Sequence, residues 1–284
     1  MKFIEQIYHS IHLNLGIKRA LEKLRQKIWG KTFWLDTLFL FPMYHAFERY
    51  FYDRIVYYYG ADYRWNDQRS QNLEKSTQNL GYGLIHYAII RNQKPNRVLC
   101  IGSMYGFIPY MMAKACMENQ IGFVDFVDAS YDMKKGSSKH YYGQGFWKTV
   151  KPDEHFRYLG VNKYIATHIM TSAQFAKKEN WNYDYIYLDG DHSYQGAITN
   201  LRLFWPRLTP EGFICFHDID FDRTAESMRF EHGKMWRNLS FLPYKFKLTN
   251  HYSGLGFIQK IDDEDINYKK TAAGFSKIKS EAIL

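Results

Sequence analysis

The chain has 284 residues, enough for one sizeable core and short of two full-sized domains. Its 46% hydrophobic and 24% charged content excludes a collagen-like or low-complexity chain, and 3 cysteines in 284 residues exclude a disulfide scaffold. The formal charge of +9 favours an anionic partner, such as a nucleotide-like cofactor, without fixing the fold.

Cys100, Cys116 and Cys215 all sit in apolar stretches, which fits reduced thiols and a cytoplasmic setting. No uninterrupted apolar signal region opens the chain. The most apolar early stretch, Phe33 to Phe47, holds Asp36, Pro42 and His45 and is too short to span a bilayer. Residues 1–75 read as a helical extension. Ile4, Ile7, Tyr8 and Ile11 share one helical face, as do Ile17, Leu21, Leu24 and Ile28. Such an extension would serve as a lid or as a contact in a homo-oligomer. The basic run from Lys18 to Lys31 reads as a solvated helix face, with peripheral membrane contact as the lesser reading.

From residue 76 to 260, strands and helices alternate. Ser76 is placed to cap a helix running through Leu84 and Ile89 to the Lys94-Pro95 pair. Short apolar runs follow at Val98–Ile101, Phe123–Val127, Ile165–Met170, Tyr185–Leu188 and Phe213–Phe216. Helical stretches such as Pro109–Asn119 and Tyr194–Leu208 separate most of them. This pattern predicts a parallel sheet covered by helices on both faces. Tyr244–Thr249 and Leu255–Lys260, around Ser253-Gly254, then predict an antiparallel hairpin. Residues 261–284 read as a polar tail.

In an open parallel sheet, ligands bind beyond the carboxyl ends of the strands, where strand order reverses. The first strand is followed by Gly102-Ser103-Met104-Tyr105-Gly106. Its glycines allow a tight turn and a close approach to a ligand at a helix start. Asp128, 22 positions after Gly106, suits a ribose diol, since one carboxylate accepts both hydroxyl protons. The fourth strand ends in Asp189-Gly190-Asp191-His192, and the fifth in His217-Asp218. Adjacent strand ends would bring Asp189 and Asp218 together, although 29 positions separate them in sequence. Two such oxygens suit a hard cation such as Mg²⁺, whereas a His₂-plus-carboxylate set drawn from His192, His217 and the aspartates would suit zinc or iron. The bland alternative is that these residues cap the following helices, Asp191 that of the helix beginning near Tyr194.

These residues resemble the class I S-adenosylmethionine-dependent methyltransferases, and most the branch with sugar and macrolide-sugar O-methyltransferases and cephalosporin-hydroxylase-like proteins. The similarity spans about residues 78–260. It is carried by the Gly102–Gly106 turn, by Leu188-Asp189-Gly190-Asp191-His192-Ser193-Tyr194, by Trp205-Pro206-Arg207-Leu208-Thr209-Pro210-Glu211-Gly212 leading into Phe216-His217-Asp218, and by Gly254-Leu255-Gly256-Phe257. The resemblance implies an α/β, Rossmann-like, seven-stranded, mostly parallel sheet with an antiparallel last strand. It implies S-adenosylmethionine held by Gly102, Ser103, Tyr105, Gly106, Asp128, Asp189 and a residue near the adenine, Ser172. It further implies Mg²⁺ on Asp189, His217 and Asp218, with Asp191 or His192 as general base. The expected activity is O-methyl transfer to a sugar-like or polyhydroxylated small molecule. The alternative is a fold retained as a binding or assembly module without catalysis.

Three positions depart from the family pattern: Cys100 stands where relatives carry an acid, Met104 where many carry glycine, and His217 where metal binders often carry an acid. The fourth strand lacks the Asn/Asp-Pro-Pro-aromatic signature of enzymes that methylate bases, which argues against a nucleic-acid substrate. The stretch Tyr131 to Trp147, with Lys134, Lys135 and Lys139, reads as an insertion over the site that helps to wall the acceptor.

Overall fold

The computed structural model describes residues 71, 80–130, 145–220, 223–225, 228–240, 242, 244–249 and 253–261. The readings made for most of residues 1–75, for Ser76, for 131–144 and for 262–284 lie outside the described residues.

The first described helix, α1 (Tyr82–Gln93), ends at Lys94, whose left-handed backbone returns its N–H to the carbonyl of Ile90. The pyrrolidine of Pro95 explains the stop, because it disfavours helical geometry in the residue before it. Next come β1 (Arg97–Ile101), α2 (Phe107–Asn119) and β2 (Phe123–Asp128). Two short helices, α3 (Phe146–Thr149) and α4 (Pro152–Tyr158), precede β3 (Ile165–Ile169) and α5 (Ser172–Lys178). Then follow β4 (Tyr183–Leu188), α6 (Tyr194–Phe204) and β5 (Leu208–His217).

The helix expected to reach Leu208 stops at Phe204, and a single 3₁₀ turn, Trp205–Arg207, follows. Pro206 has no N–H to continue the α-helical ladder. Strand β5 therefore starts five residues earlier than its apolar run suggests, and its pairing with β4 shifts register between Tyr183 and Tyr185.

The sheet order is β3-β2-β1-β4-β5-β9-β8, where β8 spans Lys245–Leu248 and β9 spans Leu255–Gln259. Strands β1 to β5 pair in parallel, and β9 runs antiparallel to both β5 and β8. This is the seven-stranded, Rossmann-like α/β sheet with an antiparallel last strand, and the closing hairpin falls where the sequence placed it. A small antiparallel pair, β6 (Arg223–Ala225) with β7 (Met228–Phe230), and helix α7 (His232–Asn238) lie between β5 and β8; no element is predicted there from the sequence.

Alternation along the central strands divides the core. Leu99, Ile101, Ile186, Leu188, Ile214 and Phe216 pack with Ala197, Ile198, Leu201 and Phe204 of α6 and with Met235 and Trp236 of α7. On the opposite face, the His86 ring of α1 lies against Tyr185, Tyr187 and Phe257. Each of these large apolar side chains contributes roughly 1.5–3 kcal/mol on burial, so the strand ends are held on a rigid support. Among the described residues, no helix is long and apolar enough to cross a membrane.

Candidate functional site

Strand order reverses between β1 and β4, which places the crevice at their carboxyl ends. The register pairs Ile101 with Leu188 and Leu188 with Phe216. Gly102, Asp189 and His217 therefore emerge side by side. The Asp189 N–H donates to the Ile101 carbonyl at 2.8 Å, and the Gly102 N–H to that of Val127 at 2.8 Å.

Gly102 has φ +78°, and a Cβ there would lie 2.7 Å from the Asp189 carbonyl carbon and 2.8 Å from Gly190 Cα. Only glycine lets the two strand ends touch, so the turn and the Asp189 loop share a wall. Asp128 is tied to the same turn. Its Oδ2 accepts from the Ser103 N–H at 3.1 Å and its Oδ1 from the Ser130 N–H at 2.7 Å. Burial pushes its carboxyl up to about 6 against the pull of those two bonds.

The remaining residues expected around a cofactor are placed unequally. Tyr105 is buried edge-on to Phe146, with ring centroids 5.4 Å apart, and so forms part of the core behind the turn. Ser172 opens α5 after Thr171, whose side chain and that of Gln174 form a reciprocal cap, at the end of the edge strand β3. Trp147, expected in the acceptor wall, is 3% exposed; its Nε1–H donates to the Ser103 carbonyl at 3.2 Å. That ring braces the glycine turn from the core side.

The ends of β4 and β5 meet in a cluster of two aspartates and two histidines. His192 Nε2 lies 3.2 Å from Asp189 Oδ1 and 3.0 Å from Asp218 Oδ2. His217 Nδ1 lies 3.1 Å from Asp189 Oδ1 and 3.3 Å from Asp218 Oδ1. The Tyr187 hydroxyl donates to Asp189 Oδ2 at 3.0 Å. Asp218 adopts φ +59°, a left-handed conformation that aspartate tolerates better than most residues.

Electrostatics follow from this packing. Burial alone would lower His192, but its bonds to Asp189 and Asp218 outweigh that and raise it to about 10. His217 is raised well above the usual imidazole range in the same way, chiefly through the charge of Asp189. Burial alone would raise the two carboxyls, but the His217 charge and the two imidazole bonds bring Asp189 down to about 2 and Asp218 lower still. The aspartates thus favour the charged form of the imidazoles, and the imidazoles that of the aspartates.

Asp191 is placed differently from His192. Its Oδ1 accepts from the Ser193 N–H at 2.9 Å, and a side chain at Gly196 would meet its Oδ2 at 2.5 Å, so the carboxylate folds back over the start of α6. The α6 N-cap itself is Ser193, whose hydroxyl accepts from the Gly196 N–H. Of the two candidate bases, the structure brings His192 into the Asp189–Asp218 cluster.

Helix α7 supplies contacts that sequence reasoning did not name. The Glu231 N–H donates to the His192 carbonyl at 2.8 Å, and Glu231 Oε2 accepts from the Tyr194 N–H at 3.1 Å. The His232 ring stacks on His192 with centroids 5.0 Å apart, and its Nδ1 lies 2.7 Å from the His217 carbonyl oxygen. The one available signal was the spacing of Met235, Trp236 and Leu239, which fits a buried helix face.

Asp189, His192 and Asp218 each offer one ligand atom, all within 4.8 Å of one another. His217, which the resemblance placed among the ligands, lies outside that group but within 3.3 Å of both aspartates. Two carboxylate oxygens suit a hard ion of the Mg²⁺ or Mn²⁺ kind, while the imidazole beside them also admits zinc or iron. To act as a ligand, His192 must first release the proton that it shares with the aspartates, so metal and proton compete.

Residues 99–219 match a family model described as a methyltransferase domain. Residues 99–219 thus combine the signature of a methyltransferase domain with a Rossmann-like sheet. No curated protein matches its sequence. Solved structures similar to it include cofactor-bound Rv0187 from MTB, at 10% identity, TM-score 0.50, and coverage of 71% of this chain and 89% of that one. The O-methyltransferase from Bacillus cereus in complex with SAH aligns at 12% identity and TM-score 0.47 over 73% and 96% of the two chains. The O-methyltransferase TomG from Streptomyces achromogenes, in complex with SAM, aligns at 10% and 0.46 over 64% and 81%. At such identities the likeness concerns the fold of the methyltransferase domain alone.

Proposed function

We propose that this methyltransferase domain uses S-adenosylmethionine to methylate a hydroxyl of a sugar-like or polyhydroxylated small molecule, with a divalent cation held by Asp189, His192 and Asp218. The observation that carries this reading is the cluster itself: two carboxylates and an imidazole from adjacent strand ends, sharing a wall with the Gly102 turn.

In this reading the turn cradles the methionine end of the cofactor. Asp128 accepts from the ribose hydroxyls with the lone pairs left free by Ser103 and Ser130. The acceptor oxygen attacks the methyl carbon in line with sulfur. An O–C bond forms, the S–C bond breaks, and its electron pair neutralises the sulfonium. Holding oxygen, methyl and sulfur in line is itself a large share of such catalysis. A bound cation supplies acidity to the acceptor hydroxyl. With His192 engaged as a ligand, Asp191 is the neighbouring carboxylate left to take the proton.

A second reading is favoured by the charge balance of the four-residue cluster. Here no cation is needed, and His192 is the base once it is neutral. Its high proton affinity then delays activity until the pH approaches about 10.

The test is formation of S-adenosylhomocysteine by the full chain with a panel of mono- and disaccharides, in Mg²⁺, Mn²⁺ or EDTA. Turnover abolished by EDTA and restored by cation supports the first reading. Turnover that survives EDTA and rises into alkaline pH supports the second. Absence of both turnover and cofactor binding leaves a methyltransferase fold acting as a binding or assembly module.

A further inference from the structure

Behind the cluster, on the α1 side of the sheet, lies a fully buried polar layer. Tyr185 and Tyr187, two apart on β4, point the same way toward α1, and each is 0% exposed. The Tyr185 hydroxyl lies 2.6 Å from His86 Nδ1. The Tyr187 hydroxyl donates to Asp189 Oδ2 at 3.0 Å and is itself hydrogen-bonded by the side chain of Gln71, which is also buried. The His86 ring meets the Tyr187 ring edge-on at 4.7 Å and holds it in place.

This arrangement decides which Asp189 oxygen does what. Oδ2 is taken by Tyr187 from below, while Oδ1 alone serves both His192 and His217. Without the hydroxyl, Oδ2 becomes a buried acceptor lacking its donor, and the carboxylate has reason to rotate toward the imidazoles. Rotation moves Oδ1 away from the point where the ligand atoms of Asp189, His192 and Asp218 converge.

We propose that Tyr187, supported by Gln71, is a positioning residue that sets the rotation of the Asp189 carboxylate, and so the geometry of the cluster. In assigning that geometry to a reaction centre, the inference rests on the function proposed above. Partners behind a ligand commonly matter this way, at about 10–100-fold in metal affinity or activity.

Two isosteric variants separate positioning from mere stability. Tyr187→Phe and Tyr185→Phe each remove one buried hydroxyl from the same strand face, and both are expected to lower the melting temperature by a similar few degrees. Only Tyr187 touches Asp189. In the ¹⁵N-histidine-labelled full chain, Y187F is expected to shift and broaden the ring N–H signals of His192 and His217, which share Asp189 Oδ1, whereas Y185F leaves them unchanged. By calorimetry, Y187F is expected to bind Mn²⁺ about tenfold more weakly, with Y185F as tight as the parent.

Equal responses from the two variants, or ring signals indifferent to Y187F, would overturn the proposal. If the parent chain takes up no Mn²⁺, the cation reading fails, and the ring signals alone decide the role of Tyr187. Should Y187F not fold, Gln71→Met is expected to move the same two signals, and no movement counts against the assignment.

Discussion

Gly102→Ala is the sharpest perturbation available to this site, because the chain contains a matched control. Gly102 has φ +78° and Gly160 has φ +77°, so alanine at either pays the same left-handed backbone cost, about 1–2 kcal/mol. Around Gly160 a new Cβ meets nothing within 4 Å, whereas at Gly102 it runs into the backbone of Asp189 and Gly190. Backbone atoms pinned by the Asp189 N–H bond to Ile101 have no rotamer to yield, which puts the added strain near the upper end of the overpacking range, about 3 kcal/mol. At roughly 2–4 °C per kcal/mol for a domain of this size, G102A should melt about 6–12 °C below G160A by circular dichroism. Because the displaced atoms carry Asp189, calorimetry should also show S-adenosylmethionine affinity lost in G102A and kept in G160A. Melting temperatures that coincide, or undiminished cofactor binding by G102A, would refute the shared-wall argument.

Further expectations follow from the same geometry. His192 has its folded value raised to about 10 from an ordinary value of about 6.5, so its contribution is full below 6.5 and is lost as pH rises through 10. In cation-free buffer, the melting-temperature gap between the parent chain and His192→Asn should therefore shrink across that window; a constant or widening gap contradicts the assignment. Asp189→Asn should abolish Mn²⁺ uptake while the far-ultraviolet spectrum is retained, and unchanged uptake would remove Asp189 from the site. Away from the site, Arg97 Nε donates at 2.7 Å to Asp125, whose side chain is 2% exposed. Arg97→Gln should cost on the order of 3 kcal/mol in denaturant titration by leaving that buried carboxylate short of its main counter-charge. A loss near zero would mean that His168 and Tyr183 satisfy Asp125 alone.

The sheet was legible because its central strands are buried on both faces and so appear as uninterrupted apolar runs, as in Val98–Ile101 and Tyr185–Leu188. Asp189 and Asp218 were legible for the same reason, since Asp189 follows directly on such a run and Asp218 comes one residue after another. Side-chain direction was not. Nothing in the order Asp189-Gly190-Asp191-His192 tells that Asp191 turns onto the start of α6 while His192 turns into the cluster. Nor does it tell that a left-handed Asp218 leaves His217 wedged beneath both aspartates. Trp147 reads as part of an insertion walling the acceptor, yet its indole packs in the core against Phe126 and Phe156 and donates to the Ser103 carbonyl. The grip of α7 on the His192 loop runs largely between Glu231 or His232 and main-chain groups of the loop, and those main-chain partners carry no sequence signature.

Where the cofactor sits relative to the Asp189–His192–Asp218 cluster is decided by a crystal structure of the full chain with S-adenosylhomocysteine. The ribose hydroxyls are expected on Asp128, the homocysteine along Gly102–Gly106, and the sulfur turned toward Asp189, His192 and Asp218. A ligand seated at another strand end, or with its sulfur facing away from those three residues, would contradict that placement.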